Sequence, residues 1–284
     1  MVKIKRNWIV PSGAEMTEMD KKILHYQNSG CLCPSRRLVL NDEQIEGIRM
    51  SGIVNTGCLD KIEEVIHAGM STGELDRIAA EYITSHGGIP ACLNYEGFPK
   101  NICTSINEQV CHGIPDDKVI LKEGDIINVD ITTILHGYYA DASRMFIIGK
   151  TSPEKERLVK VAKECLEIGA EAAKPYCFVG DIGNAIQKHA ESHGYSVVRD
   201  LCGHGVGLKF HDDPEVLHYG RKGTGMLIVP GMVFTIEPMI NMGTWRVYVD
   251  AANNWTIYPE DELPSAQWEH TFVMTDHGVE ILTH

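Results

Sequence analysis

The chain repeats itself at a fixed distance. Ser85-His86-Gly87 returns as Ser192-His193-Gly194, an offset of 107 (192 − 85). Each triplet closes an apolar-periodic segment. The first carries Leu75, Ile78, Ala79, Tyr82 and Ile83 behind the capping pattern Ser71-x-x-Glu74, and the second carries Ile182, Ile186 and Ala190. A longer helical pattern precedes each. One runs through Met50, Ile53, Val54, Cys58, Ile62, Val65 and Ile66. The other opens at Ser152-Pro153, a good N-cap and first-turn pair, and continues with Leu158, Val161, Ala162, Cys165 and Leu166. Downstream, Lys122-Glu123-Gly124-Asp125-Ile126-Ile127-Asn128-Val129-Asp130 lines up with Val229-Pro230-Gly231-Met232-Val233-Phe234-Thr235-Ile236-Glu237 at the same offset (237 − 130). Both read as a turn glycine entering a β-rich run that ends in a carboxylate. Helix, helix, glycine, strand and acid at one offset predict an α+β chain of two similar halves.

Each half continues into a second β-rich run with its own acid. Asp141 precedes Met145-Phe146-Ile147-Ile148, and Glu269 precedes Phe272-Val273-Met274. The first pair of acids is separated by 11 positions (141 − 130), the span of a tight hairpin. The second is separated by 32 (269 − 237), so the second hairpin is longer by 21 (32 − 11) and takes in Trp245, Tyr248 and Trp255. If the halves face each other, Asp130, Asp141, Glu237 and Glu269 converge. Four carboxylates in an apolar interior repel one another and lose hydration, and two divalent cations remove that cost. A histidine, His204 in Gly203-His204-Gly205-Val206-Gly207, shifts the preference toward Mn, Fe, Co or Zn. A lone acid in a strand is ordinarily on a solvated face. Apolar neighbours on both sides of Asp130 and of Glu237 argue instead for burial, and buried acids need partners.

Composition narrows the remaining possibilities. With 284 residues, 43% of them hydrophobic and 23% charged, the chain can form one large α+β unit with a core able to hold a polar site. Acids outnumber bases 39 to 26, a net charge of −13, which argues against specific nucleic-acid binding. The 9 cysteines are scattered without a disulfide framework. No run reaches the ~18 apolar residues of a membrane span. Lys3, Lys5 and Arg6 precede only Trp8, Ile9 and Val10 before Pro11, too short for the core of a signal peptide. These features together predict a cytoplasmic protein with reduced thiols and no membrane contact. Residues 1–40 are rich in turn chemistry and read as an N-terminal extension, with 41–284 the catalytic unit. Cys31-x-Cys33 reads as loop cysteines, because no second pair of matching spacing follows.

Five stretches carry a specific resemblance: Asn107-Glu108-x-Val110-Cys111-His112-Gly113-Ile114-Pro115; Asp130 with Asp141; Gly203-His204-Gly205; Phe234-Thr235-Ile236-Glu237-Pro238; and Gln267-Trp268-Glu269-His270-Thr271. Across about residues 41–284 the chain resembles type I methionine aminopeptidases. The resemblance implies the pita-bread fold, two pseudo-symmetric halves around a curved antiparallel sheet. It implies a cofactor of two divalent metal ions (Co, Mn, Fe or Zn), with Asp130 a bidentate ligand of one, Asp141 and Glu269 bridging both, and His204 and Glu237 completing the second site. It implies removal of the initiator methionine from nascent proteins and peptides with a small second residue, by attack of a metal-bridging hydroxide. Glu237 would shuttle the proton, and His112 and His211 would hydrogen-bond the substrate amide and stabilise the tetrahedral intermediate. The methionine slot would be formed by Cys92, Tyr95, Phe98, Cys103, Phe210 and Trp255, with Phe98 where Tyr is common in relatives.

Two other readings compete. An X-Pro-type pita-bread peptidase would share the metal ligands, but such enzymes carry a large additional N-terminal domain that the short segment before Asn41 cannot supply. A non-catalytic, ribosome-associated binding protein would be free to lose its ligands, and here all five positions are filled. Ribosome docking and the physiological metal stay open, and a monomer is expected. Because every proposed ligand lies downstream, deletion of residues 1–40 is expected to leave small-peptide cleavage intact.

Overall fold

Side-chain caps begin the first three helices. Thr17 and Asp20 exchange hydrogen bonds at the start of α1 (Glu18–Asn28), and Asn41 and Gln44 do the same for α2 (Asp42–Val65). The Ser71 hydroxyl accepts the Glu74 N–H at the start of α3 (Thr72–Ser85). The structure, a computed structural model, describes residues 8–283; Lys3, Lys5 and Arg6 lie outside that range. After α3 come β1 (Ile89–Pro90), β2 (Cys103–Ile106), β3 (Ile126–Leu135) and β4 (Tyr138–Ile147). β1 and β2 pair antiparallel along one edge of β3, and β4 pairs along the other. His136 and Gly137, with φ of 52° and 87°, make the β3–β4 turn, the positive pair that a two-residue hairpin requires.

The second half opens with α4 (Pro153–Ala172) and α5 (Val179–Ser192). It continues through β5 (Ser196–Val197), β6 (Gly203–Gly205), β7 (Asp212–Val216), β8 (Val233–Ile236) and β9 (Met239–Asn241). The inserted hairpin β10 (Val247–Val249) and β11 (Ile257–Pro259) follows, then β12 (Ser265–Gln267), β13 (His270–Met274) and β14 (Val279–Ile281). The repeat holds strictly in places: α3 and α5 start and end at an offset of 107 (179 − 72 and 192 − 85), and so do β1 and β5 (196 − 89). The long strands β3 and β4 have broken counterparts. β8 and β9 together match β3, and β12 and β13 together match β4, with the breaks at Glu237-Pro238 and Trp268-Glu269. Pro238 has no N–H to give a ladder. The halves are stitched where Ser143 of β4 bridges Glu269. The Asn128 amide also donates to the Gln267 carbonyl (2.8 Å), and the Asp141 N–H donates to Thr271 Oγ1 (3.0 Å). This is the α+β, pseudo-symmetric antiparallel architecture the repeat predicts.

Two details differ from the sequence reading. Met50 and Ile53 of α2 are exposed, not core. The helix instead turns Ile48, Ser51, Gly52, Asn55 and Leu59 inward, because it lies almost in contact with backbone: a Cβ on Gly52 would meet the Leu282 carbonyl oxygen at 2.0 Å. Small and polar residues therefore form the packed face, and a pattern of large apolar residues misplaces it. The second detail is the N-terminal segment. Trp8, Ile23, Cys33 and Leu38 are buried in the same cluster as Leu158, Ile182, Phe234 and Phe272. The Leu227 N–H donates to the Leu32 carbonyl and the Leu40 N–H to the Gly231 carbonyl, both at 2.8 Å. Residues 8–40 thus complete the core of the second half, so cutting at Leu40 would open it. The Cys33 thiol lies in this core, 3.7 Å from the Ile23 carbonyl, and all nine cysteines are unpaired. Among the described residues no helix is long and apolar enough to cross a membrane.

Candidate active site

Strand register brings the acids together. Asp130 of β3 stands between Cys103 of β2 and Ser143 of β4, and Ser143 in turn pairs with Glu269. Asp141 opposes Thr132, two residues along from Asp130 on the same face, so the two aspartates are diagonal neighbours. The Thr132 hydroxyl donates to Asp141 Oδ1 at 2.8 Å. In the second half the His270–Ile236 pair sets Glu269 beside Glu237 just past the end of the ladder. Thr235 and Glu237, two apart, share a face. Thr235 Oγ1 accepts the His204 N–H (3.0 Å) and donates to Glu237 Oε1 (2.7 Å). The glycines around His204 allow this approach, since a Cβ on Gly203 would meet the Thr235 carbonyl oxygen at 2.7 Å and one on Gly205 the Asp213 carbonyl oxygen at 2.0 Å.

The result is four carboxylates around one imidazole. His204 Nε2 is 3.7 Å from Asp141 Oδ2 and 3.6 Å from Glu237 Oε1, and donor atoms of Asp141, His204 and Glu269 all lie within 4.8 Å of one another. Burial pushes the Asp130 carboxyl up to about 7. Burial, reinforced by the charge of Asp130 and resisted by the Thr235 hydrogen bond, pushes Glu237 to about 8. Asp141 and Glu269 are raised well above the carboxylate range, by burial first and then by their acidic neighbours. His204 is pushed down to about 3 by burial and by His211. These acids have no Lys or Arg among the residues lining their cavity, and a set of O and N donors this close fits divalent cations far better than it fits itself.

The cluster forms the floor of a cavity of about 590 Å³. Cys92, Phe98 and Cys103 pack together with Phe210 and Trp255 as its apolar wall, Phe98 meeting Trp255 edge to face at 5.2 Å. Tyr95 packs on Phe210 at 4.6 Å, and its hydroxyl lies 2.8 Å from His211 Nδ1. His211 stacks on Phe210 at 4.2 Å and stands 4.2 Å from the His204 ring. His112 faces the cavity from a left-handed backbone (φ 55°), edge-on to Trp255 at 6.3 Å. Burial, then the charge of His211, pushes His112 down to about 4, so its ring is neutral at pH 7. Every site residue anticipated from sequence lines this one cavity.

The sequence profile of metallopeptidase family M24 matches residues 46–276. Methionine aminopeptidase A of Synechocystis sp. is 52% identical over 246 residues, spanning 86% of this chain and 96% of its own length. The crystal structure of methionine aminopeptidase from Rickettsia prowazekii superposes with a TM-score of 0.85 at 46% identity, covering 87% of this chain and 99% of that one. This chain belongs to metallopeptidase family M24, among the methionine aminopeptidases. Prolidase from Pyrococcus furiosus shares the fold, with a TM-score of 0.67 at 23% identity, but this chain covers only 66% of its length.

Around the site, this M24 chain has supports to which the sequence assigned no role. The Gln267 amide donates to Glu237 Oε2 at 3.2 Å, while its own Oε1 is buried with no protein partner. Buried His218 accepts the Glu237 backbone N–H at Nε2 (3.1 Å), and burial pushes its ring to about 3, neutral as that contact requires. Arg37, from the N-terminal segment, makes a two-pronged ion pair with Asp212, the residue after His211, and reaches Asp213 at 3.6 Å. The alternation of Thr235 and Glu237 could have flagged the threonine. Nothing local announces His218 or Arg37.

Proposed function

We propose that this chain releases the N-terminal methionine from peptides and nascent proteins whose second residue is small, with two divalent cations held by Asp130, Asp141, His204, Glu237 and Glu269. The observation that carries this reading is the meeting of two environments in one cavity: a floor of acids and imidazole, and a wall of Cys92, Cys103, Phe98, Phe210 and Trp255. Sulfur and aromatic surfaces suit an unbranched thioether side chain. Mn, Fe, Co and Zn all suit a donor set of carboxylates with one imidazole. Such cations supply Lewis acidity, lowering the pKa of water and polarising the scissile carbonyl.

The chain's own groups do the rest. Thr235 and Gln267 hold one oxygen each of Glu237, which fixes that carboxylate for taking a proton from the attacking water and passing it to the leaving amine. Neutral His112 and His211 donate hydrogen bonds to the substrate amide, where negative charge develops. Tyr95 orients His211. The second substrate residue must pass between these histidines. Gly, Ala, Ser or Val fits, and a long side chain displaces the carbonyl; about 1 Å of displacement costs roughly 100-fold in rate.

Metal-stripped protein should be inactive and regain methionine release on titration with Mn, Fe, Co or Zn. Across a Met-X peptide series, kcat/KM should fall by about 100-fold from Met-Gly to Met-Lys. Equal efficiency on the two peptides would remove the proposed substrate path, and faster cleavage of X-Pro peptides would assign the chain to the X-Pro-type enzymes instead.

A further inference from the structure

One cluster of donor atoms lies outside the catalytic cavity, where α4 and α5 pack together. His189 and His193 are four residues apart at the end of α5 and project from one face. Glu164 of α4 meets them. His189 Nε2 is 2.9 Å from Glu164 Oε2, the two imidazole rings are 4.4 Å apart, and one donor atom from each of the three lies within 4.8 Å of the others. His189 and Glu164 retain 20% and 30% of their side-chain exposure, so the group is held in place yet open to solvent. None of the three lines the substrate cavity.

The pseudo-symmetry separates what the helix needs from what it does not. His193 Nδ1 lies 2.9 Å from the His189 carbonyl, a bond that caps the last turn of α5. His86, at the matching position (193 − 107), caps α3 in the same way, with Nδ1 2.8 Å from the Tyr82 carbonyl. A capping role therefore accounts for His193. It does not account for the other two. In the first half, position 82 (189 − 107) is a tyrosine stacked on His86 at 4.1 Å, and position 57 (164 − 107) is a glycine. A Cβ at Gly57 would meet the Tyr82 hydroxyl at 2.3 Å, so the phenol occupies the room that Glu164 takes in the second half. Two of the three donors are thus additions particular to the second half. The shared cap also fixes a tautomer: with Nδ1–H donated to a carbonyl, His193 presents Nε2 as a free lone pair, the usual way a ligating histidine is held.

We propose that Glu164, His189 and His193 form a further cation site, separate from the catalytic cavity, that takes a borderline divalent ion such as Zn²⁺ and fastens α4 to α5. Two imidazoles and one carboxylate with a position left for water match Zn²⁺, and fit Mg²⁺ or Ca²⁺ poorly. The cation would take the place of the His189–Glu164 hydrogen bond, drawing on the Nε2 lone pair of the imidazole and on the carboxylate. Lys160 sits 3.6 Å from the other oxygen of Glu164 but is 77% exposed and free to swing away.

The test uses protein loaded with Mn²⁺ at its catalytic centre and titrated with ZnCl₂, counting bound zinc by calorimetry and elemental analysis. Wild-type protein should bind one more Zn²⁺, with micromolar affinity, than either His189→Gln or Glu164→Gln. Zinc that exchanges into the catalytic centre does so equally in all three, so the difference isolates this site. Zn²⁺ should also raise the thermal midpoint of wild-type protein by several degrees more than that of either variant, Mg²⁺ should not, and methionine release should be the same in all three. His189→Tyr combined with Glu164→Gly, which copies the first half, should behave like the glutamine variants. Equal zinc stoichiometry in wild type and variants, or an equal zinc-induced shift in midpoint, overturns the proposal.

Discussion

In the first half, β3 and β4 run ten residues each without a break, and register alone places Asp130 and Asp141. In the second half the matching strands stop at Glu237 and resume at Met239, then stop again before Glu269. Both glutamates sit where the ladder fails, one methylene longer than their aspartate counterparts. The break also admits the inserted hairpin, which brings Trp255 over Phe98 and pairs Ile257 with Cys111, the residue before His112. The regular half therefore sets fixed charges on a rigid ladder, and the interrupted half supplies the groups whose side chains must reach, Glu237, Glu269 and His204, with Phe210 and Trp255 closing the pocket wall begun by Cys92, Phe98 and Cys103 of the first half. Of two units built to one plan, one keeps its strands whole and the other breaks them to extend its carboxylates.

The sharpest way to break this division is at Glu237. Glu237→Gln keeps the size and the Thr235 contact but removes the base and a charge. It should lower kcat by about 1,000-fold or more while the circular dichroism spectrum is unchanged; turnover near that of wild type would take the proton shuttle away from the interrupted half. His112→Ala should come next, lowering kcat by about 100-fold with metal content retained, because His112 stands outside the acid cluster and its proposed role is on the developing charge. Metal loss as large as that of His204→Ala would show that the two histidines are not divided in this way.

The same contrast decides what could be read from sequence. Asp130, within Ile126-Ile127-Asn128-Val129-Asp130-Ile131, is flanked by apolar residues on an unbroken strand, and the repeat offset points from it to Glu237. Regular elements leave periodic traces. The buried face of α2 leaves none, because contact with the Leu282 carbonyl selects Gly52 rather than a large apolar residue. His218, whose work is to accept one backbone N–H, has no pattern around it. The separation of residues 1–40 from the rest rested on turn composition, which is blind to Trp8 and Ile23 entering a core whose other members lie far along the chain, at Leu158, Ile182, Phe234 and Phe272.

That N-terminal segment gives a test of smaller size. Asp20 is buried and accepts hydrogen bonds from the Thr17 N–H (2.9 Å) and hydroxyl (2.7 Å), the Trp8 indole (2.8 Å) and Arg36 (2.9 Å). Burial alone would raise its carboxyl. The bonds from Thr17 and Trp8 and the charge of Arg36 outweigh that and bring it down to about 2 from 3.8. A depressed carboxyl contributes stability above its unfolded value and loses it as pH falls, so this contribution is complete above about pH 4 and gone near pH 2. It amounts to about 2 kcal/mol. Asp20→Asn should therefore cost about 2 kcal/mol at pH 7, lowering the thermal midpoint by several degrees, and the gap to wild type should close as pH approaches 2. A gap that stays constant with pH would mean that the ionised carboxylate is not what ties this segment down.

Arg37 is the link between that segment and the site, and the smallest effect is expected there. Its guanidinium grips Asp212 with both prongs, and Asp212 follows Phe210-His211, one the pocket wall and the other a proposed substrate contact. The arginine touches neither substrate nor the acid cluster, so it acts by positioning. Its side chain is 52% exposed, and water screens such a pair to about 0.5–1 kcal/mol. Arg37→Ala should accordingly raise KM for a Met-Gly peptide by about 2–5-fold and leave kcat nearly unchanged, since Glu237 and His112 are untouched. Arg37→Lys should recover only part, because an ammonium cannot make the two-pronged contact. High salt should carry wild-type KM toward that of the variant, as it weakens an exposed ion pair and not a packed core. If Arg37→Ala instead lowers kcat with KM unchanged, the segment acts on the chemistry through some other route. If neither constant moves, the contribution of residues 8–40 ends at the core they complete.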